Sequence, residues 1–308
     1  MRIVFCGTPE SALPSLDAIV RQSRDWQVLA VLTQPDRPAG RGLELTPSPV
    51  KRRALEHGLP VLTPARLADA RDALESLRPD VVAVVAYGRI FREWLLDLPP
   101  LGCVNLHFSL LPAWRGVAPV AWAILGGDAE TGVSTMRMER GVDTGPVYRR
   151  ARVAIGPDDT TATLTARLAE IGGPLLAGTI EGLAAGSEVA VPQDDSKATH
   201  ARKLEKEDGR IDWRRPAAEI ARLVRGLHPW PGAFTTFRGE HLKVHAAQPQ
   251  PGELPPGALR ERDGAIVVGT GERLLRLVEV QIAGKARTTG EAWYRGARSR
   301  DLETLGAP

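Results

Sequence analysis

The sequence predicts an α/β layer fold with a largely parallel sheet, followed by a small all-β domain. Three observations carry that expectation. Strand-like and helix-like segments alternate through residues 1–189. Val81–Ala86 is an unbroken apolar run, the pattern of a strand buried on both faces of a parallel sheet. Beyond residue 208 the chain turns to short β-like runs separated by turn residues, as in a small barrel or sandwich. A length of 308 residues accommodates two domains. We expect them at 1–189 and 209–308, with a polar, aperiodic linker over 190–208.

The elements justify themselves in order. Arg2–Gly7 is a short β-branched apolar run. Leu13, Leu16, Ile19 and Val20 give Ser11–Gln22 helical spacing, with Pro14 tolerable near the first turn. Gln27–Thr33 is a second strand. Ser48 caps and Pro49 opens a helix that runs through Glu56 and is closed by Gly58. Cys103–Ser109 and Val133–Met138 read as strands, Pro146–Ile155 as a strand or hairpin, Gly116–Leu125 and Thr160–Leu183 as helices. A helix at Pro216–Gly226 then precedes Ala233–Arg238, Leu242–Ala246, Gly257–Leu259, Ala265–Gly269 and Leu274–Gln281.

Composition bounds the function classes. Hydrophobic residues make up 43% and charged residues 25%, the balance of an ordinary globular protein. The two cysteines, Cys6 and Cys103, sit inside apolar strands, which argues for a reducing compartment and against a disulfide framework or a four-ligand zinc site. The N-terminus lacks a signal-peptide pattern, and no apolar run is long enough to span a membrane. A cytoplasmic protein is expected. From Lys206 onwards there are 17 Lys and Arg against 13 Asp and Glu, while the rest of the chain is nearly balanced. That distribution suits either a polyanionic partner or a solvated arginine-rich surface.

Strand ends in such a fold are where ligands bind. Side chains alternate along a strand, so Asn105, His107 and Ser109 share one face, opposite Val104, Leu106 and Phe108. Three polar groups on an otherwise apolar strand are unfavourable to bury unless satisfied or used. A lone histidine there is more often a core residue bonded to backbone; Asn and His two apart, followed by Leu-Leu-Pro and Arg-Gly, point to a site. Asp143, in the loop Glu139–Gly145, is by itself an ordinary turn residue. Paired with His107 it would orient the imidazole as a triad carboxylate does. Such a set suits acyl transfer to an amine: Asn105 and a protonated His107 stabilise an oxyanion, and His107 or Asp143 accepts the amine proton. The loop Thr33–Leu43 holds two prolines and two arginines, Arg37 and Arg41, and is either a solvated loop or an arm for nucleic acid. Lys51 opens the next helix at the unfavourable end of its dipole, which a nearby phosphate would offset. There is no Gly-x-Gly-x-x-Gly pattern, so a dinucleotide enzyme is rejected.

These motifs resemble the folate-dependent formyltransferases. Asn105–Pro112, with its Asn-x-His-x-Ser-Leu-Leu-Pro pattern, and Asp143 are similar to the catalytic asparagine, histidine and aspartate of that group. The segments TQPDRPAGRG and HPWPGAF further resemble the methionyl-tRNA formyltransferases, as do VVAYG and GVDTGPV. One departure is Ser11, which stands where that family usually carries an aromatic.

The resemblance implies a Rossmann-like catalytic domain and an OB-like β-barrel. It implies formyl transfer from 10-formyltetrahydrofolate to methionyl initiator tRNA. Ser109, Leu110, Leu111 and Pro112 would contact the folate, and Val85, Ala86, Tyr87 and Gly88 would line its pterin pocket. Arg37, Arg41 and Lys51 would meet the tRNA acceptor stem. The protein would need no metal and act as a monomer. The alternatives are a formyltransferase for a nucleotide-linked amino sugar and a non-enzymatic RNA-binding protein.

Overall fold

The computed structural model describes residues 1–22, 26–39, 44–298 and 303–306. They fall into two compact units, one of Met1–Pro119, Glu130–Ala154 and Thr165–Ala201, the other of Val120–Ala129, Ile155–Leu164 and Arg202–Pro308.

The first unit is built on a seven-stranded sheet. Arg2–Gly7 (β1), Gln27–Leu32 (β2), Val61–Leu62 (β3), Val81–Val85 (β4) and Cys103–His107 (β5) are parallel. Glu130–Arg137 (β6) and Val147–Ala154 (β7) add an antiparallel edge, giving the order β7-β6-β5-β4-β1-β2-β3. Order reverses between β1 and β4, and such reversals open a crevice at the carboxyl ends of the strands. All five residues of β4 are buried, as its unbroken apolar run requires.

Helices α1 (Leu13–Arg21), α2 (Pro49–Glu56) and α3 (Arg71–Leu77) follow in turn. Ser48 caps α2 as expected, its hydroxyl accepting from the Lys51 amide at 3.0 Å. Two further helices are α4 (Pro119–Gly126) and the long α5 (Thr161–Ala184). A Cβ on Gly172 of α5 would lie 2.5 Å from the Leu106 side chain, and one on Gly173 would lie 2.6 Å from the Pro14 carbonyl. Helix α5 therefore sits hard against Leu106, and strand alternation puts Asn105 and His107 on the opposite face of β5.

Among the expected elements whose bounds differ, three bear on the site. The strand from Cys103 stops at His107, because Ser109 turns its hydroxyl back to the Ala113 carbonyl at 2.5 Å. Strand β4 stops at Val85, since Ala86 is left-handed with φ 47°. Helix α4 begins at Pro119 rather than Gly116. Arg115–Gly116 instead pairs in parallel with His200–Ala201, so closely that a Gly116 Cβ would lie 2.5 Å from the Ala201 carbonyl. Among the elements that pass unnoticed in the sequence are the two-residue β3 and the short α3; neither is long enough to show a period.

The second unit carries Ala217–Gly226 (α6), Ala233–Phe237 (β8), Glu240–Gln250 (β9), Leu259–Arg262 (β10), Ala265–Gly269 (β11), Leu274–Ile282 (β12) and Gly290–Gly296 (α7). The strands are antiparallel in the order β8-β9-β12-β11-β10. Register shifts between Val244 and Ala247 mark bulges in the eleven-residue β9, and bulges bend a strand around a core. That core joins Ile220 and Val224 of α6 to Leu242, Val244, Leu275, Leu277 and Trp293. Helix α4 belongs here too. A Cβ on Gly226 would lie 3.0 Å from Leu125, and the Trp122 indole donates to the Arg202 carbonyl at 2.8 Å.

Cys6 and Cys103 are buried and unpaired, each 1% exposed. Burial pushes the Cys103 thiol up to about 12 and raises Cys6 well above the ordinary thiol range. Thiolates are the reactive form, so both groups are inert in the fold. Iodoacetamide at pH 8 is expected to modify neither in the native protein and both after unfolding in guanidinium. Mass spectrometry reads the outcome; rapid native labelling would contradict this packing.

Candidate active site

The carboxyl end of β5 supplies Asn105 and His107. Their neighbours are Val84 on β4 and Met136 and Ser134 on β6, which hold the strand from both sides. His107 is 5% exposed. Its Nε2 lies 2.9 Å from the Trp114 carbonyl. A carbonyl only accepts, so Nε2 carries a hydrogen and donates it. The other ring nitrogen, Nδ1, faces Asp143 Oδ2 at 3.6 Å. That spacing exceeds a direct hydrogen bond and leaves the Nδ1 edge available. Asn105 is half-buried, and its amide has no hydrogen-bond partner among the described residues.

Asp143 reaches the histidine from the loop after β6. Its backbone is left-handed, with φ 54°, a conformation aspartate tolerates better than most residues. Oδ2 accepts from the Gly116 amide at 2.8 Å. The loop closes tightly on itself: a Cβ on Gly145 would lie 1.9 Å from the Arg137 carbonyl. The structure thus brings together the three residues singled out in the sequence, from two segments about 36 positions apart along the chain.

The expected folate-contact segments border this point in different ways. Ser109 is fully buried; its carbonyl accepts from the Ser134 hydroxyl at 2.7 Å. Leu110 is half-buried over Gly132, where a Cβ would lie 2.5 Å from it. Leu111 is buried; its amide donates to Ser134 at 3.1 Å and its carbonyl accepts from Arg150 Nε at 3.0 Å. Pro112 is half-buried and follows a cis peptide bond. In the second segment the side chains of Val85 and Tyr87 are buried, while Ala86 and Gly88 are exposed. Tyr87 packs edge-on against Phe91 at 6.2 Å, and burial pushes its hydroxyl up to about 12. Only Ala86, Gly88 and the backbone of this turn face outward.

Sequence reasoning missed what holds this turn. Gln34 is buried and donates from Nε2 to the Tyr87 carbonyl at 2.9 Å, while Oε1 accepts from Arg89 at 3.0 Å. It sits inside the stretch read as a nucleic-acid arm, where one amide among turn residues gives no signal. Gln193 and Thr199 are likewise hidden in the stretch read as a linker, although they bond to the backbone of Trp114, Asp143 and Gly145. Gln193 donates to the carbonyls of Asp143 and Gly145, and Val191 and Val147 exchange backbone bonds at 2.8 and 2.9 Å.

The basic residues are placed as follows. Arg37 is exposed in Arg37–Ala39, which pairs antiparallel with Glu44–Thr46. Arg41 lies outside the described residues. Lys51 pairs with Asp36 at 2.7 Å, so a carboxylate from the preceding loop faces the basic start of α2. Among the described residues no group of three or more His, Cys, Asp or Glu could hold a metal ion. No described helix is long and apolar enough to cross a membrane.

The chain has relatives in both sequence and fold. The profile of the formyl transferase family matches residues 1–180, and that of the formyl transferase C-terminal domain matches residues 203–298. A methionyl-tRNA formyltransferase of Koribacter versatilis is 46% identical over 99% of both chains. One of Streptomyces coelicolor is 49% identical over 99% of this chain and 100% of its own length. One of Pseudomonas fluorescens is 50% identical over 92% of this chain and 89% of its own. Among solved structures, an N-formyltransferase from Helicobacter canadensis in complex with folinic acid and dTDP-3-aminofucose aligns with a TM-score of 0.68. It is 17% identical over 89% of this chain and 98% of its own. A methionyl-tRNA formyltransferase from Clostridium thermocellum gives 0.60 at 16% identity, over 92% of this chain and 98% of its own. Those two likenesses speak for the fold. Family profiles that cover both halves and relatives near 50% identity over almost the whole length lead to one conclusion: the chain belongs to the formyl transferase family, among the methionyl-tRNA formyltransferases.

Proposed function

We propose that Asn105, His107 and Asp143 are the groups through which this chain moves a formyl group from 10-formyltetrahydrofolate to the amino group of methionyl initiator tRNA. The observation that supports these roles is the convergence at the end of β5. A buried histidine faces a carboxylate at 3.6 Å, beside an asparagine whose amide is unused by the fold.

The donor supplies a formyl carbon bonded to nitrogen, whose oxygen gains negative charge as the amine attacks. Asn105 has the free N–H to meet that oxygen. The Trp114 carbonyl engages His107 Nε2, so Nδ1 is the ring atom able to exchange a proton. When Nδ1 is protonated it completes an ion pair with Asp143 and adds positive charge beside the oxygen. The amine must lose a proton as its bond to carbon forms. Asp143 or the imidazole takes it, directly or through water, and the pair returns a proton to the departing nitrogen.

In this reading Ser109–Pro112 and Val85–Gly88 hold the folate, the former through backbone and Leu110, the latter through the exposed turn. Residues 1–189 perform the transfer, residues 190–208 join the halves, and residues 209–308 hold tRNA with their excess of positive charge. Arg37, Arg41 and Lys51 meet the acceptor stem. Replacing both Arg37 and Arg41 by alanine is expected to raise KM for tRNA at least tenfold while leaving KM for folate unchanged. Steady-state kinetics decide, and an unchanged tRNA KM would remove the arm from this role. The protein acts as a monomer in the cytoplasm, a setting that suits two buried, unpaired thiols.

A nucleotide-linked amino sugar is the rival acceptor. The test is to offer labelled formyl donor with methionyl-tRNA and with a dTDP-amino sugar in parallel. Transfer to the tRNA is expected; transfer to the sugar alone would overturn the reading.

A further inference from the structure

His107 ends strand β5 and Asp143 sits on the loop after β6, and the left-handed turns beside them are tied down from outside as well as by their own contacts. Trp114, whose carbonyl engages His107, is left-handed at φ 57°; Asp143 is left-handed at φ 54°. Non-glycine residues stay in that region only when their surroundings fix them. Both are fixed from the same place, the segment 191–201.

Gln193 spans the gap to Asp143. Its Nε2 donates to the carbonyls of Asp143 at 2.8 Å and Gly145 at 2.7 Å. Its Oε1 accepts from Arg115 Nε at 3.1 Å and Nη2 at 2.9 Å. Arg115 is 5% exposed and also pairs with Asp195 at 2.7 Å. The next residue, Gly116, donates its amide to the Asp143 carboxylate at 2.8 Å. One rigid stretch thus holds Asp143 at both ends, the carboxylate through Gly116 and the backbone through Gln193.

Thr199 does the same for His107. Its Oγ1 accepts from the Trp114 amide at 2.8 Å, and its carbonyl accepts from the Arg115 amide at 2.9 Å. The carbonyl of Trp114 then accepts from His107 Nε2 at 2.9 Å. The segment is anchored at its two ends by the Val191–Val147 exchange and by the Val117 amide on the Ala201 carbonyl at 2.8 Å.

We infer that residues 191–201 are an outside brace that sets the spacing and orientation of His107 and Asp143, with Gln193 and Thr199 as its positioning residues. Neither touches the reacting atoms; Gln193 acts through the backbone of the loop that carries Asp143, and Thr199 acts through Trp114, whose carbonyl engages His107. A displacement of about 1 Å in such a constellation lowers turnover on the order of 100-fold without touching substrate binding.

The inference rests on the roles proposed above for His107 and Asp143, and the experiment separates the two. Formyl transfer to methionyl-tRNA is measured for Gln193→Leu, Gln193→Glu, Thr199→Val and Thr199→Ser, with Asp143→Asn alongside. Gln193→Glu keeps an oxygen for Arg115 but loses the donor to Asp143 and Gly145. Thr199→Val keeps the shape and loses the acceptor, whereas Thr199→Ser keeps the acceptor. Expected are kcat losses of about 10–100-fold for both Gln193 variants and Thr199→Val, KM values for folate and tRNA within threefold of wild type, and kcat within threefold for Thr199→Ser.

Three results would overturn the brace: wild-type kcat in Gln193→Leu, equal losses in Thr199→Ser and Thr199→Val, or losses that track the folded fraction by circular dichroism. If Asp143→Asn itself retains full activity, the failure lies in the assignment of the pair instead.

Discussion

Asp143→Asn is expected to lower kcat for formyl transfer by about 10²–10⁴-fold, the range for loss of a positioned acid–base group. The substitution is close to silent for the fold. Asparagine is among the few residues that accept the left-handed backbone found at Asp143, and its amide oxygen can still receive the Gly116 hydrogen bond at 2.8 Å. What it removes is the negative charge 3.6 Å from His107 Nδ1, together with an acceptor for the amine proton. The effect therefore falls on kcat, with KM for both substrates nearly unchanged, because an interaction used only in the transition state is lost. The two parameters are read separately in steady-state assays with folate and tRNA each varied. A variant that turns over within threefold of wild type would remove Asp143 from the chemistry.

Asn105→Ala is expected to cost about 10²–10³ in kcat, as loss of one oxyanion donor does in other acyl-transfer enzymes. The side chain is half-buried and bonded to nothing in the described fold, so truncation orphans no partner. Thermal stability should therefore stay within about 1 kcal/mol of wild type. Asn105→Asp sharpens the test. It preserves shape but presents only acceptor oxygens toward a developing negative charge, and should be at least as damaging. Melting curves and single-turnover rates, measured on the same preparations, separate a lost donor from a disturbed strand. An aspartate variant as active as wild type would show that position 105 does not face the formyl oxygen.

The parts legible in the sequence are those that repeat a local rule. Val81–Val85 announces a buried parallel strand because every residue is apolar. Ser48-Pro49 announces a helix start because a hydroxyl cap and a fixed φ are both local. Asn105 and His107 stand out because two polar side chains interrupt the same face of one apolar strand. Asp143 was visible only in the company of His107, since a single aspartate in a glycine-flanked loop is a common turn.

The rest depends on contacts that no window contains. Gln193 and Thr199 look like any polar residues in a loop, and their meaning comes from carbonyls 48 and 50 positions away and an amide 85 positions away. The start of α4 is hidden for a similar reason. Gly116 has helix-compatible neighbours, yet the chain segment at Ala201 packs against it and draws Arg115–Gly116 into a parallel pairing instead. The helix dipole marks Lys51 as needing a negative partner, but the carboxylate of Asp36 that meets it comes from a loop with no helical pattern.

Transfer of labelled formyl from 10-formyltetrahydrofolate to purified methionyl-tRNAs, comparing the initiator with the elongator, decides what this chain acts on. The account predicts rapid formylation of the initiator methionyl-tRNA and at least 100-fold slower labelling of the elongator. Equal rates on both would contradict the initiator as the favoured acceptor, and labelling of neither would contradict the reaction itself.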